Sequence, residues 1–119
     1  MSLSALLERV EAATGGDREL DRDIAIATGW VHRSGAPWER VLEWERPNPT
    51  ASVDAALALI GRVKPGARAL MEHDHDGNGW AMLMPSKHSE RFMAEAPTPA
   101  LALILALLRA LLSKDTTHE

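Results

Sequence analysis

The sequence predicts an α+β domain, a small antiparallel sheet of three to four strands with helices packed on it. Three observations predict it. Apolar residues recur at helical spacing at both ends and in the middle of the chain. An alternating segment, a Gly-Asn-Gly stretch and a second apolar segment follow one another between residues 67 and 84. No crossover helix separates those two segments, so they pair antiparallel.

The chain has 119 residues, which fits a single domain, 1–113, followed by a flexible polar tail, 114–119. Hydrophobic residues make up 45% and charged residues 25%, enough apolar material for a core without metal or disulfide support. The formal net charge of -4 supplies no basic field for nucleic acid or anionic lipid. There is no cysteine, which excludes disulfides, thiol nucleophiles and thiolate metal sites, and fits a reducing cytoplasm. Met1 to Val10 lacks the basic start and long apolar run of a signal peptide, so none is expected.

The first helix is read from Leu3, Leu6, Leu7, Val10 and Ala13, and Gly15-Gly16 stops it. Asp17 caps a second helix that runs to about Thr28, with Leu20, Ile24 and Ala27 on one face and Gly29 at its end. A single kinked helix is the alternative. Trp30 to Pro37 reads as a loop. Trp38 to Glu45 reads as a strand with Trp38, Leu42 and Trp44 on one side, although Arg40 and Val41 break its alternation.

Pro47-Asn48-Pro49 is a break, and Ser52 then caps a helix whose stripe is Val53, Ala56, Leu57 and Ile60, with Gly61 near its end. Lys64-Pro65-Gly66 turns the chain into a strand from Ala67 to Asp74. Asn78-Gly79 suits the positive φ angles of a type I′ turn, with Trp80 to Met84 as the return strand. Arg91 to Ala94 adds a third strand. Thr98 caps the last helix, and Pro99 fills its first position, where no backbone N–H is needed.

That last helix is the strongest element. Leu101, Leu103, Ile104, Leu105, Leu107, Leu108, Leu111 and Leu112 sweep roughly 200° of its circumference. Ala102, Ala106, Arg109 and Ala110 lie in the remaining stripe. The run is too short, and is interrupted by Arg109, to supply the roughly 20 apolar residues of a membrane span. One sheet face does not cover so wide an arc, so Leu103, Leu107 and Leu111 are expected at an interface, with a homodimer as one form of it.

Two clusters carry candidate chemistry. His73-Asp74-His75-Asp76 offers metal ligands, and His73 and His75 share a strand face. In either register considered, His73 and His75 face Met84 and Met82, or Met82 and Trp80, and no third ligand is supplied; His88 lies one turn further on. A calcium loop from Asp74 fails at its twelfth position, which is Pro85 instead of an acidic ligand. The plainer reading is a polar hairpin tip bonding its own backbone. The second cluster, Trp30 to Arg46, interleaves tryptophans with arginines as platforms for single-stranded nucleic acid do, but Glu39, Glu43 and Glu45 cancel Arg33, Arg40 and Arg46. No nucleophile elbow, phosphate loop or dinucleotide fingerprint occurs, so neither a cofactor nor a catalytic residue is assigned.

Three segments together, Leu7 to Trp30, Thr50 to Ile60 and Thr98 to Ala110, resemble the phage ABA-sandwich domain family of small phage and prophage proteins. The resemblance implies a sheet layered between helices and assigns no catalytic or ligand-binding residue. The expected function is a phage- or prophage-derived protein-interaction or accessory module without catalysis, acting on a protein partner. The alternatives are a small metal-binding protein or hydrolase using His73, Asp74, His75 and Asp76, and single-stranded nucleic-acid binding through residues 30–46.

Overall fold

The computed structural model describes residues 2–87 and 90–116, with side chains described as far as Ser113, and His88 lies outside that set. Four helices, α1 (Leu3–Ala12), α2 (Arg18–Thr28), α3 (Val53–Val63) and α4 (Pro99–Thr116), accompany three strands, β1 (Arg68–His73), β2 (Gly79–Met84) and β3 (Phe92–Ala96). The strands form one antiparallel sheet in the order β1-β2-β3. The protein is α+β, as its sequence predicts. α4 continues to Thr116, three residues into the segment expected as tail.

Each helix starts where a short polar side chain can satisfy a free backbone donor. Ser2 accepts from the Ala5 N–H at 3.1 Å, Asp17 from Leu20 at 3.0 Å, Ser52 from Ala55 at 3.2 Å and Thr98 from Leu101 at 3.2 Å. α1 and α2 are therefore separate helices and not one kinked rod. α2 ends in a Schellman motif: Gly29 adopts φ 75°, its N–H reaches the Ile26 carbonyl, and the Trp30 N–H reaches that of Ala25.

The middle layer is α4. Every residue from Ala100 to Leu108 is buried, as is Ala110. The sheet packs on one side of it, and α1 and α3 pack on the other, with α2 leaning on α1. The described helices thus all lie to one side of the sheet, whereas the family resemblance implies helices on both. Leu103 and Leu107 are fully buried within the single chain, and Leu111 is partly buried against the same core. The leucine face expected as an interface is interior, because α1 and α3 cover the part of the arc that the sheet leaves. The alanine stripe at 102, 106 and 110 is buried as well. Arg109, half-buried in the same stripe, reaches outward and donates to the Met93 carbonyl at 2.6 Å and to Glu11 at 3.4 Å. It occupies an acceptor of edge strand β3 and ties that edge to α1, which blunts it against pairing. No described helix is long and apolar enough to cross a membrane.

Trp38 to Glu45 is not a strand. It folds as two 3₁₀ turns, Trp38–Arg40 and Glu43–Glu45. Trp38 and Val41 are buried, while Leu42 and Trp44 are exposed. Of that stretch only Trp38 and Val41 turn inward, so Trp38, Leu42 and Trp44 share no face. In α3, Ala56, Leu59 and Ile60 face the core, and Leu57, expected with them, is exposed.

Two constraints hold the layers in place. Asp21 and Thr50 are completely buried. The Asp21 carboxylate accepts from the Thr50 N–H at 2.9 Å, from its hydroxyl at 2.7 Å and from Arg18 at 3.1 Å, which locks α2 to the segment before α3. At the other end, Gly79 starts β2 directly against the backbone of Thr98 and Pro99, where no side chain fits.

Gly79→Ala forces β2 away from the start of α4 and is expected to cost about 1–3 kcal/mol, the range for overpacking, read by urea unfolding. For Asp21, burial raises the carboxyl pKa, opposed by its bonds to Thr50 and Arg18. The folded state therefore holds the proton more tightly than the unfolded chain. This contribution to stability is full below the ordinary aspartate pKa of about 4 and is lost as pH rises through the raised folded value. Asp21→Asn keeps the oxygen that accepts from Thr50, so its stability relative to the native chain is expected to improve as pH rises from about 4 to 7. Asp21→Ala leaves the Thr50 N–H buried and unpaired, at a cost of about 1–3 kcal/mol that is largest near pH 4 and shrinks as pH rises.

Candidate functional site

The hairpin that joins β1 to β2 is built around Asp74. Its Oδ1 accepts from the Asp76 N–H at 2.9 Å and the Asn78 N–H at 3.0 Å, and its Oδ2 lies 3.4 Å from the Asn78 side-chain nitrogen. The Gly77 N–H bonds the Asp74 carbonyl at 3.0 Å, and the Asp74 N–H bonds the Asn78 carbonyl at 3.0 Å. Gly77 carries the positive φ, 89°, so this is a type I turn closed by a left-handed glycine and not an Asn78-Gly79 type I′ turn. Partial desolvation raises the Asp74 pKa, but the hydrogen bonds from Asp76, Asn78 and Gly77 outweigh it and hold the carboxyl below its ordinary range.

This register corrects the one read from the sequence. His73 is the last residue of β1 and lies opposite Gly79, so it faces neither Met84 nor Met82. His75 stands at the loop tip with its side chain 92% exposed, 3.6 Å from Asp76. The two histidines do not share a strand face, because the strand ends between them. Asp74 is fully engaged by its own loop. Among the described residues, no three His, Asp or Glu side chains converge as a metal site would require.

The tryptophan–arginine segment is closed on itself. Arg18 and Arg46 lie over the Trp38 ring at 5.6 and 5.5 Å, and Trp30 meets it edge-on at 5.9 Å. Arg46 also donates to the Trp38 carbonyl at 2.9 Å. Arg22 pairs with Glu39 at 3.3 Å, and the Glu39 carboxyl is held below its ordinary range first by its own backbone N–H and then by Arg22. The arginines here support a buried ring, and of Trp30, Trp38 and Trp44 only Trp44 is exposed.

The feature that sequence reasoning missed is the outer face of the sheet. Alternation sends Ala69, Met71, Ala81, Leu83, Phe92 and Ala94 toward α4. The opposite parity faces away from every described helix, and the strand register arranges it in three rows. Leu70, Met82 and Met93 lie side by side across the sheet. Glu72, Trp80 and Glu95 form the next row toward the hairpin tip. Arg68 and Met84 form the row on the other side, and Arg91, one residue before β3, continues it.

Leu70 is 53% and Met93 55% exposed, and Trp80, Met82 and Met84 are partly buried. The side chains of Arg68, Glu72, Arg91 and Glu95 make no ion pair or hydrogen bond among the described residues. An open hollow of about 630 Å³ lies at the acidic end, bounded by Glu72, Trp80, Glu95, Asp74 and Pro97. A smaller one of about 230 Å³ lies at the basic end, between Arg68, Met84 and Lys87. The face is thus an apolar bar with a cation-seeking aromatic end and a cationic end. A signal for it was present in the sequence: Trp80-Ala-Met-Leu-Met84 is apolar at both parities, as in strands covered on both faces.

Compared with protein-family models, curated proteins and solved structures, the chain matches none.

The hairpin geometry carries its own test. Asp74→Ala removes the acceptor of two loop N–H groups and is expected to lower the Tm by several degrees. His75→Ala and Asp76→Ala are expected to leave it unchanged within error. If zinc raises the Tm of the native chain and not that of His75→Ala, the loop holds a metal and the self-bonded reading is wrong.

Proposed function

We propose that this chain is a protein-interaction or accessory module that docks a protein partner on the outer face of its sheet and has no catalytic role. One observation carries the reading. Among the described residues, the row Leu70, Met82 and Met93 is uncovered although β2 has the composition of a doubly covered strand. Methionines suit such a surface, because their flexible thioethers adapt to a partner's shape. A phage or prophage origin, and action in the cytoplasm of a bacterial host cell, accompany this reading through the family resemblance.

The alternatives have less support. The metal or hydrolase reading needs Asp74 free and both histidines converging, and Asp74 is bonded by its loop. Binding of single-stranded nucleic acid needs exposed rings under surplus cations, and Trp38 is buried between its arginines.

A photo-crosslinking side chain placed in turn at Met82, Met93 and, as a control, the exposed Glu8 of α1 tests the reading in cells expressing the chain. Discrete adducts are expected from positions 82 and 93 and not from position 8. Equal labelling from all three positions, or adducts from position 8 alone, overturns it.

A further inference from the structure

We infer that the partner seated on the outer sheet face is a second copy of this chain, packed sheet on sheet about a twofold axis that runs along the Leu70–Met82–Met93 row. The inference rests on the docking role proposed for that face and adds the identity of its occupant.

The charge pattern selects both the occupant and the axis. The face has an acidic row at one end and a basic row at the other, on either side of an apolar centre. Neighbouring rows are about 7 Å apart, two residues along a strand. Two sheets of one protein stacked face to face about 10 Å apart can be related by a twofold axis parallel to the strands or across them. An axis parallel to the strands lays Glu72 and Glu95 on the partner's own glutamates, and Arg68 and Arg91 on its arginines. Those like-charge contacts disfavour it. An axis across the strands reverses the strand direction and keeps each strand over its own counterpart. Glu72 then faces the partner's Arg68, Glu95 faces the partner's Arg91, and Met82 meets the partner's Met82.

The remaining groups fit the same operation. Trp80 comes over the partner's Met84, a sulfur–aromatic contact. The partner's arginines arrive at the hollow of about 630 Å³ where Trp80 and two glutamates await a cation. Charges that have no partner among the described residues of one copy thus each find one in the pair. Three strands about 4.8 Å apart, over five residues, project roughly 250 Å² per copy. A standard interface buries about 800 Å² per partner, so the dimer is expected to be weak and sensitive to salt.

The test is sedimentation velocity of the full chain from about 5 to 500 μM at low salt, with two charge-reversed variants. Arg68→Glu with Arg91→Glu makes both end rows acidic, and Glu72→Arg with Glu95→Arg makes both basic. Concentration-dependent dimerisation is expected for the native chain, with at least tenfold weaker association for each variant alone. Mixing the two variants is expected to restore a dimer, because an all-acidic face then meets an all-basic one. Loss through misfolding cannot be rescued by mixing, so the mixture separates the two causes.

A native chain that stays monomeric at every concentration overturns the inference, as does a dimer that both reversals leave intact. In the first case, adducts from position 82 to a different protein would leave the docking role standing with another occupant. An absence of adducts would remove both readings.

Discussion

A helix that is apolar around its whole circumference has to be covered on every side, and this chain is organised by that requirement. From Ala100 to Leu108 no position of α4 is open to solvent. Burying a leucine or isoleucine side chain contributes about 1.5–3 kcal/mol, so exposing one flank of α4 would remove several such terms together. The three-stranded sheet covers one flank, and α1 and α3 cover the other. Neither layer touches the other extensively, so each is held mainly through the helix between them. The close seat of Gly79 on Thr98 and Pro99 and the buried Asp21–Thr50 bond fix the two layers at points where the apolar contacts alone would allow sliding.

Much of this was legible in local chemistry. Asp17, Ser52 and Thr98 each stand immediately before a helix and each bonds a donor in its first turn, so those helix starts could be read residue by residue. Gly29 marks an end for an equally local reason, its positive φ. The pairing of β1 with β2 and the third strand also followed from pattern. What failed were inferences that need long-range information. Trp38, Leu42 and Trp44 looked like one strand face, and no local rule says that Arg18, from another helix, and Arg46 will enclose Trp38 alone. The breadth of the leucine arc was read correctly, but whether it is covered by this chain or by another copy depends on where α1 and α3 fold back, which periodicity does not encode.

The hairpin shows how one glycine decides a register. Three candidate turn positions, Gly77, Asn78 and Gly79, lie in a row. Gly77 takes the left-handed conformation because Asp74 can then bond the loop's N–H groups at 76 and 78. Gly79 is needed elsewhere, for contact with α4. Placing the turn at 74–78 moves His75 off the strand and leaves His73 alone on it. The same choice puts Trp80 beside Glu72 and Glu95, and so creates the acidic end of the outer face. A histidine pair that looked like chemistry and an aromatic hollow that was not foreseen are two consequences of one turn.

The outer face is where the fold is incomplete as a set of layers. α4 is satisfied within the chain, and the sheet is satisfied on the side that meets α4. On the other side, Leu70, Met82 and Met93 form an apolar row with charges of opposite sign at its two ends. A surface meant only for solvent has no reason to place three large apolar side chains in one row across all three strands. A surface for indiscriminate collapse has no reason to keep acidic and basic groups apart. The edges are treated differently: Arg109 occupies a carbonyl of β3, which disfavours extension of the sheet sideways. With a carbonyl of the β3 edge occupied, strand addition there is disfavoured, and the open face is the surface left for the docking proposed above. The proposed stacking spans so small an area that it would form and release readily.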